Sequence, residues 1–532
     1  MKTLPCLFVA ALGLAACSAK PPEAPAPVAT PAATPVPAPA APATPAVDPA
    51  KAEMTKRALA LTQEQIAQAR DIASLGKLAE IYSGAKDTPH LTWTLEQLVR
   101  LLPNAGDLRI KLAKVYAGAD DKTHAYDLLL KMINQGYAYD ISKEPGFENA
   151  QGTKVWDYIL SSFDHNSKPF GDGKVAFDLP KGDTLIEAIA WDPKRKQLLA
   201  GSVRDGKIQL VDAKGQATDF IAPSAENGLW GVFGLAIDSA HDKLFVISNG
   251  VPHFRGFSAE MLGKANLSEF TLSSGKFVRK YALPEDGHSH ILSSIATDGK
   301  GAVYVADGVN EVIYRLDGGK LELMLGNPAL SGIRGMALTP DGKTMYFADA
   351  SLGIFGVDLT KCAPFNLAYN PERLVLGGIE GLYWYQGTLV AIQGSMVPQR
   401  VIRLKLSEDG RAIVSAQPLD AAQPAFEAPT TGTIAGDDLY FIANSQKSLY
   451  SDLGVLTDES SLEPVHVFRS NLHFAWDQKG VDTTLAGSAP KTPRLTKEQF
   501  DEMRNTPPKG VVQPAPAAQT PAKPAEPAPA GH

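Results

Sequence analysis

The segment Glu187-Ala-Ile-Ala-Trp-Asp192 is the first of six copies of a short apolar motif, and this repetition decides the fold. Later copies align with it without gaps, and successive first residues are 46, 60, 41, 46 and 51 positions apart. These later copies begin at Phe233, Ser293, Arg334, Glu380 and Thr431. A period of about 40 to 60 residues with several strands per unit is typical of propeller blades. We therefore predict a mainly β protein with a six-bladed β-propeller over residues 169–472.

A second apolar strand follows each copy of the motif after a short turn. These strands are Leu198–Gly201, Leu244–Ile247, Val303–Ala306, Met345–Ala348, Leu389–Ile392 and Leu439–Ala443. A third strand often ends in aspartate, as in Gly353-Ile-Phe-Gly-Val-Asp358. We expect Lys174–Leu179 and Pro464–Phe468 to pair in one blade, because closure of the ring removes the open sheet edges.

Residues 51–168 show a helical pattern without strand alternation and are predicted to form a small α-helical domain. Helices are expected at 54–73, 92–102 and 152–163. Within 105–137, small and large packing residues have the spacing of a tetratricopeptide repeat, and the segment resembles that family: Leu112, Ala113, Tyr116, Ala125 and Leu129. The turn would be Asp120-Asp121-Lys122. The resemblance implies a surface that docks a protein partner, and a plain helical bundle packed on the propeller is the alternative.

The first seventeen residues have the pattern of a secretory signal. Lys2 is followed by the apolar stretch Leu4–Leu14, which is shorter than the ~20 residues that span a bilayer. The ending Leu14-Ala15-Ala16-Cys17 resembles the lipobox of bacterial lipoproteins, which implies lipidation of Cys17 and a membrane anchor. Ser18 after the cysteine favours the outer membrane, with the body facing the periplasm and exposure at the cell surface left open. The alternative is an ordinary signal peptide that contains a cysteine.

Both ends of the mature chain have a composition that cannot build a core. Eleven of the thirty-three residues in 18–50 are proline, and the tail 473–532 ends in a segment rich in proline and alanine, with six prolines in 511–532. We predict disorder in both segments, with 18–50 acting as a linker between the membrane and the helical domain.

Composition narrows the possible partners. The formal net charge is −7 and no basic stripe is present, so nucleic acid is not an expected ligand. After removal of the signal, Cys362 is the only cysteine in the predicted folded body. We interpret it as structural or incidental, because no activating partner is evident.

The motif predicts a polar ring in the propeller channel. The first residues of the six copies would share one level around the axis, and the ends of the second strands would lie near a rim. Polar groups at a propeller centre are commonly a binding site, because loops from all blades converge there. The predicted binding residues are Glu187, Ser293, Arg334, Glu380, Thr431, Asp307, Asp349 and Asn444. A structural channel whose charges only pair with each other is the alternative.

The blade sequences resemble the regucalcin/gluconolactonase-like propellers and, more loosely, NHL-repeat propellers. The resemblance rests on patterns such as Trp191-Asp192-Pro193, Thr339-Pro340-Asp341-Gly342-Lys343 and Ile379-Glu380-Gly381-Leu382. It implies a divalent cation such as calcium on the axis, with Glu187 and Glu380 at two ligand positions and Glu380 as general base for lactone hydrolysis.

Arg334 departs from that pattern, because the family has a neutral amide at this position of blade 4. A guanidinium stays protonated and cannot ligate a cation. We therefore expect no metal and no other cofactor, and we hypothesise a buried salt-bridge triad of Arg334 with Glu187 and Glu380. Ser293 also stands where the family often has an asparagine, which puts lactone recognition in doubt.

Other constellations in the sequence are weaker. His288-Ser289-His290 could suit a metal but has no third ligand at a telling spacing, so a solvated loop is expected. The segments Gly228–Gly231 and His253–Arg255 fall in long excursions between strands and could cap the channel.

Three functions remain open. The first is a binding module, in which the channel takes a small polar ligand or a peptide and the helices dock a protein, without catalysis. The second is a lactonase-type periplasmic hydrolase with Glu380 as base and Arg334 as an oxyanion stabiliser. The third is a structural spacer of the cell envelope.

Overall fold

The computed structural model describes residues 49–284, 286–327 and 329–474. The predicted signal, Cys17, nearly all of the proline-rich linker and almost the whole predicted tail lie outside the described residues. Among those described, no helix is both long and apolar enough to cross a bilayer. The chain divides into two compact units, with the boundary between Leu101 and Leu102.

Four helices make up the described part of the first unit: α1 (Pro49–Leu59), α2 (Gln63–Gln68), α3 (Ile72–Ala85) and α4 (Thr88–Leu101). The prediction of one helix over 54–73 is wrong, because two capping residues divide that segment. Thr62 forms a reciprocal capping box with Gln65, and the Asp71 carboxylate accepts from the first backbone N–H groups of α3.

The second unit begins with three helices: α5 (Gly106–Gly118), α6 (Lys122–Asn134) and α7 (Lys154–Asn166). The turn predicted between α5 and α6 is confirmed, since Asp120 has φ +60° and Asp121 caps α6 by accepting from the His124 N–H. The alanines at the predicted packing positions, Ala113 and Ala125, are fully buried in the core of these helices.

Six four-stranded antiparallel sheets follow, and they form the predicted six-bladed propeller. In each blade the strands follow one another from the axis outward. Blade 1 contains β2 (Ile186–Asp192), β3 (Gln197–Ser202), β4 (Ile208–Val211) and β5 (Ala217–Ile221). Blade 2 contains β6 (Gly231–Asp238), β7 (Lys243–Asn249), β8 (Ala265–Thr271) and β9 (Phe277–Tyr281). Blade 3 contains β10 (Leu292–Thr297), β11 (Val303–Asp307), β12 (Val312–Asp317) and β13 (Lys320–Gly326).

The remaining blades repeat this order. Blade 4 contains β14 (Ile333–Leu338), β15 (Thr344–Asp349), β16 (Gly353–Asp358) and β17 (Ala363–Asn366). Blade 5 contains β18 (Gly381–Tyr385), β19 (Thr388–Gln393), β20 (Arg400–Leu406) and β21 (Ile413–Ala421). Blade 6 contains β22 (Gly432–Ala435), β23 (Asp438–Ile442), β24 (Val465–Asn471) and, as its outermost strand, β1 (Lys174–Leu179).

Blade 6 closes the ring in the way the sequence predicts. Strand β1 pairs antiparallel with β24, and Lys174 lies opposite Arg469. The innermost strand of each blade packs against that of the next, and β22 packs against β2. Apolar side chains between neighbouring blades therefore form a continuous set of buried layers around the axis.

Helices α5–α7 pack on blade 5, where the buried Arg400 links the blade to α6, and a second buried arginine, Arg109, links α5 to the end of α6. Arg400 of β20 donates to the backbone carbonyl of Gln135 at the C-terminus of α6 and to the Gln393 side chain. Arg109 donates to the Pro103 carbonyl and to the Gln135 side chain. Cations are favourable at helix C-termini, where carbonyls lack partners. Burial lowers the pKa of Arg400 to about 10.

Candidate functional site

A cavity of about 860 Å³ follows the propeller axis and is lined by the innermost strands of all six blades. This volume lies in the range of roughly 300–1,000 Å³ that is usual for small-molecule sites. The first residue of every motif copy contributes to its wall: Glu187, Phe233, Ser293, Arg334, Glu380 and Thr431. The repeat in the sequence therefore brings five of the eight predicted binding residues together.

The first residue of each motif copy is called the ring residue. In blades 1 to 4 it coincides with a β-bulge. The pairing register of the innermost strand shifts at Glu187, Phe233, Ser293 and Arg334. A bulge leaves one residue out of the ladder and redirects its side chain. In each of these four blades, the bulge therefore directs the side chain of the ring residue toward the axis.

Glu187 is held by a serine of the neighbouring blade. The Ser445 hydroxyl donates to Glu187 Oε1, and Ser445 is itself buried. Burial raises the pKa of the Glu187 carboxyl, and the nearby charge of Glu380 adds to this shift. The Ser445 hydrogen bond and the positive charges of Lys447 and Arg334 oppose it. The charge of this buried carboxylate is therefore costly unless cationic groups compensate it.

Glu380 is held in a similar way on blade 5. Its Oε1 accepts a hydrogen bond of 2.5 Å from the hydroxyl of Ser395, which is exposed at the cavity wall. The loop that carries Ser395 is fixed against the helices, because Ala138 N–H donates to the Val397 carbonyl and Met396 is buried in their core.

Arg334 does not form the predicted salt-bridge triad. Its side chain is exposed to the cavity, and no described carboxylate lies within 4.0 Å of it. The prediction fails because serine hydroxyls from nearby loops bind Glu187 and Glu380, and the guanidinium extends into the open cavity. Its five N–H donors are available to a ligand.

The sequence analysis missed several polar residues of the cavity, among them Ser395, Ser445 and Lys447. Ser395 lies two residues after the end of the second strand of blade 5, and Ser445 lies three residues after that of blade 6. Because these positions differ between the blades and fall outside the repeated motif, the pattern gives no signal for them.

The other three predicted binding residues do not line the cavity. Asp307, Asp349 and Asn444 are buried, and each uses its side chain to fix the loop of its own blade. Asp349 accepts from the backbone N–H groups of Ser331 and Leu352, for example. These residues position the ends of the inner strands.

The histidine pair is not the solvated loop that the sequence analysis expects. His290 is buried, and its ring lies 2.7 Å from Asp307 and 3.3 Å from Asp286. The expectation fails for His290 because β11 places Asp307 directly behind the loop. His288 is exposed.

Two long loops from blades 2 and 6 meet at blade 1 and border the cavity. Arg204 binds the Asp183 carboxylate through two nitrogens, at 2.7 and 2.9 Å, and donates to the carbonyls of His253 and Gly454. Tyr450 also donates to Asp183, at 2.6 Å. Burial alone would raise the pKa of Asp183, but these hydrogen bonds lower it to about 2. Of the two segments expected to cap the channel, only the one with His253 reaches its wall.

The cavity residues do not fit a divalent cation. Among the described residues, no three or more His, Cys, Asp or Glu side chains stand close enough together to hold a metal ion. The two glutamates share the wall with the cationic side chains of Arg334 and Lys447, which would repel a cation.

Comparison with protein-family models gave no match, and comparison with curated proteins gave none either. Solved structures share the architecture. A gluconolactonase from Xanthomonas campestris aligns with a TM-score of 0.38 and 15% identity over 57% of this chain and 90% of its own. A hydrazine synthase from Kuenenia stuttgartiensis gives 0.36 and 16%, over 55% and 88%. A chain of a nidogen/laminin complex gives 0.31 and 15%, over 42% and 76%. At these values the resemblance concerns the fold alone.

Proposed function

We propose that the propeller binds a small polar ligand or a short peptide in its axial cavity, and that the chain is a cell-envelope lipoprotein. The observation that carries the first part is the state of the charged groups in the cavity. Arg334 has no carboxylate within 4.0 Å among the described residues, whereas Glu187 and Glu380 are each oriented by a serine hydroxyl. Charged groups that are fixed in place but form no ion pair with one another are suited to bind an exogenous partner.

The lipoprotein part of the proposal rests on the sequence alone. Its basis is the Leu14-Ala15-Ala16-Cys17 pattern, and we infer attachment to the outer membrane through Cys17, with the body in the periplasm. A protein partner would bind α1–α4 or those faces of α5–α7 that do not pack on blade 5.

A thermal-shift screen of the full-length chain tests the binding function. The panel contains amino acids, dipeptides, L-tartrate, polyols and inorganic phosphate. A ligand at 100 times its Kd stabilises the native state by about 2.7 kcal/mol. We expect at least one anionic member to raise the melting temperature of the wild type but not of Arg334→Gln. The control is Arg315→Gln, which removes an exposed arginine of β12 that does not line the cavity. Absence of a shift with every member would contradict the proposal.

A lactonase-type hydrolase without a metal is the second candidate, and the separation of Arg334 from Glu380 favours it. Glu380 would take a proton from water as the water oxygen attacks the lactone carbonyl, and Arg334 would stabilise the oxyanion that forms. As the oxyanion collapses and the ring C–O bond breaks, the protonated Glu380 would give its proton to the leaving ring oxygen, which releases the hydroxy acid. Turnover of a lactone that is abolished in Glu380→Gln would select this function.

A further inference from the structure

The wall of the axial cavity is divided into sectors of different chemistry, following the order of the blades. Blade 2 contributes Phe233 and Val251, blade 3 contributes Ile291 and Val309, and blade 4 contributes the cation Arg334. Blades 5 and 1 contribute the carboxylates of Glu380 and Glu187, and blade 6 contributes hydroxyls and a second cation, Lys447, on the side of Glu187. This order is a property of the ring itself, because successive innermost strands pack against each other in sequence.

The apolar sector is partly open to solvent. It contains Phe233, Val251, Ile291 and Val309. Ile291 and Val309 remain 36% and 40% exposed, and both line the cavity. Covering them with an apolar group of a ligand would remove that surface from water.

The charged sectors lie beside it in a fixed order. Ser293 of blade 3 lies between Phe233 and Arg334 in the ring. Its hydroxyl donates a hydrogen bond of 2.6 Å to the backbone carbonyl of Ile333. Arg334 is followed on blade 5 by Glu380, whose bound donor is the neutral hydroxyl of Ser395. A ligand in contact with all three sectors therefore meets an apolar surface, then a guanidinium, then a carboxylate.

We propose that the ligand is a zwitterion with an apolar side chain, that is, an apolar α-amino acid or a short peptide that ends in one. Its carboxylate binds Arg334, its ammonium or amide N–H groups bind Glu380, and its side chain covers Ile291 and Val309. This inference rests on the proposed binding function of the cavity. A guanidinium can bind a carboxylate through two parallel N–H···O hydrogen bonds. Arg334, between the apolar sector and Glu380, is therefore suited to bind the carboxylate of such a ligand.

Calorimetric titration of the full-length chain with L-leucine tests the assignment group by group. L-leucinamide lacks the carboxylate, N-acetyl-L-leucine lacks the ammonium, and glycine lacks the apolar side chain. We expect each to bind about tenfold or more weakly than L-leucine, as expected for loss of a charge-assisted hydrogen bond or of a buried aliphatic group. Glycyl-L-leucine distinguishes a peptide from a free amino acid as the source of the same carboxylate and side chain.

Variants assign each ligand group to its residue. Arg334→Gln should weaken L-leucine about tenfold or more and abolish the difference between L-leucine and L-leucinamide. Glu380→Gln, which keeps an acceptor for Ser395, should abolish the difference between L-leucine and N-acetyl-L-leucine. Arg315→Gln should bind as the wild type does.

Two results would overturn the inference and leave the binding function standing. One is equal affinity for L-leucine and L-leucinamide. The other is binding of L-tartrate that depends on Arg334, with no binding of L-leucine or glycyl-L-leucine. If no member of the wider panel binds, both the inference and the binding function fail.

Discussion

Arg334 shows how a single residue changes the chemistry expected of a propeller channel. The resemblance to metal-dependent propellers implies a cation between Glu187 and Glu380, yet blade 4 places a permanent positive charge there. The guanidinium forms no ion pair with a described carboxylate and is accessible to the cavity. Under the proposed binding function, this position would bind an anion in place of holding a metal ligand.

Replacing this arginine should create affinity for a divalent cation. In Arg334→Asn the cavity would contain two carboxylates and a neutral amide, a donor set that suits calcium, and Lys447 would be the one cationic lysine or arginine left on the described wall. We expect Ca²⁺ to raise the melting temperature of Arg334→Asn and to leave that of the wild type unchanged. A Ca²⁺-dependent shift of the wild type would show that the guanidinium does not exclude the cation.

The six ring residues could be predicted from the sequence, because they share one position in a repeat. Their partners could not. Ser395 and Ser445 lie in loops of different length, and only the folded ring brings Ser445 of blade 6 to Glu187 of blade 1. The prediction of the triad is wrong for the same reason, because the charges in the sequence do not show that neutral serine hydroxyls bind both carboxylates.

At the level of elements, the loops of blades 2 and 6 are held together by close backbone contact as well as by Arg204. Gly454 has φ +71°, and a Cβ atom there would lie 2.3 Å from the Pro252 carbonyl oxygen. Gly454 is the point where these two loops touch. Its substitution should therefore affect the order of the loops without changing the stability of the blades.

Gly454→Ala should loosen both loops while the blades stay folded. The matched control is Gly436→Ala, which has φ +65° and nothing within 4 Å of the added Cβ. Both variants carry the cost of a left-handed residue, but only Gly454→Ala adds the clash. We expect faster hydrogen exchange at 250–264 and 445–464 in Gly454→Ala alone. Equal exchange in the two variants would show that backbone strain, and not the contact, controls these loops.

Strand positions were predicted well, whereas irregularities within elements were not. The six second strands lie where alternation of apolar residues places them, because each is buried between neighbours. The bulges at the ring residues leave no trace in the pattern, since one extra unpaired residue does not change the apolar composition of the strand. The break of the predicted helix 54–73 was readable from Thr62 and Gln65 but was overlooked.

For the whole molecule, a buried carboxyl group lies where the ring closes. Asp420 of β21 is fully buried, accepts from the Gly173 N–H at 2.8 Å, and binds the hydroxyl of Ser470 in β24. It therefore ties blade 5 to both strands that close blade 6. Burial raises the pKa of Asp420 to about 6, above the ordinary value of 3.8.

This raised pKa predicts a stability that depends on pH. The folded state favours the protonated form, so the contribution of Asp420 is full below pH 3.8 and is lost as pH rises through about 6. Asp420→Asn should therefore be more stable than the wild type at pH 7.5, by up to about 3 kcal/mol, and should lose this advantage at pH 4. Melting temperatures at the two pH values measure the effect, with Asp127→Asn on the exposed face of α6 as control. An advantage that does not change with pH would contradict the assignment.

The pairing of β1 with β24 also has a consequence for the time course of folding. Lys174 and Arg469 pair although almost the whole propeller sequence lies between them, so the contacts of this closing sheet have a very large sequence separation. Such distant pairing is slow to form. Blade 6 cannot be completed until the last strand has left the ribosome, and in an exported chain, until it has crossed the membrane. Until then the strands already made retain two unpaired edges, which are templates for aggregation. The propeller should therefore depend on chaperones that bind extended chains during this interval.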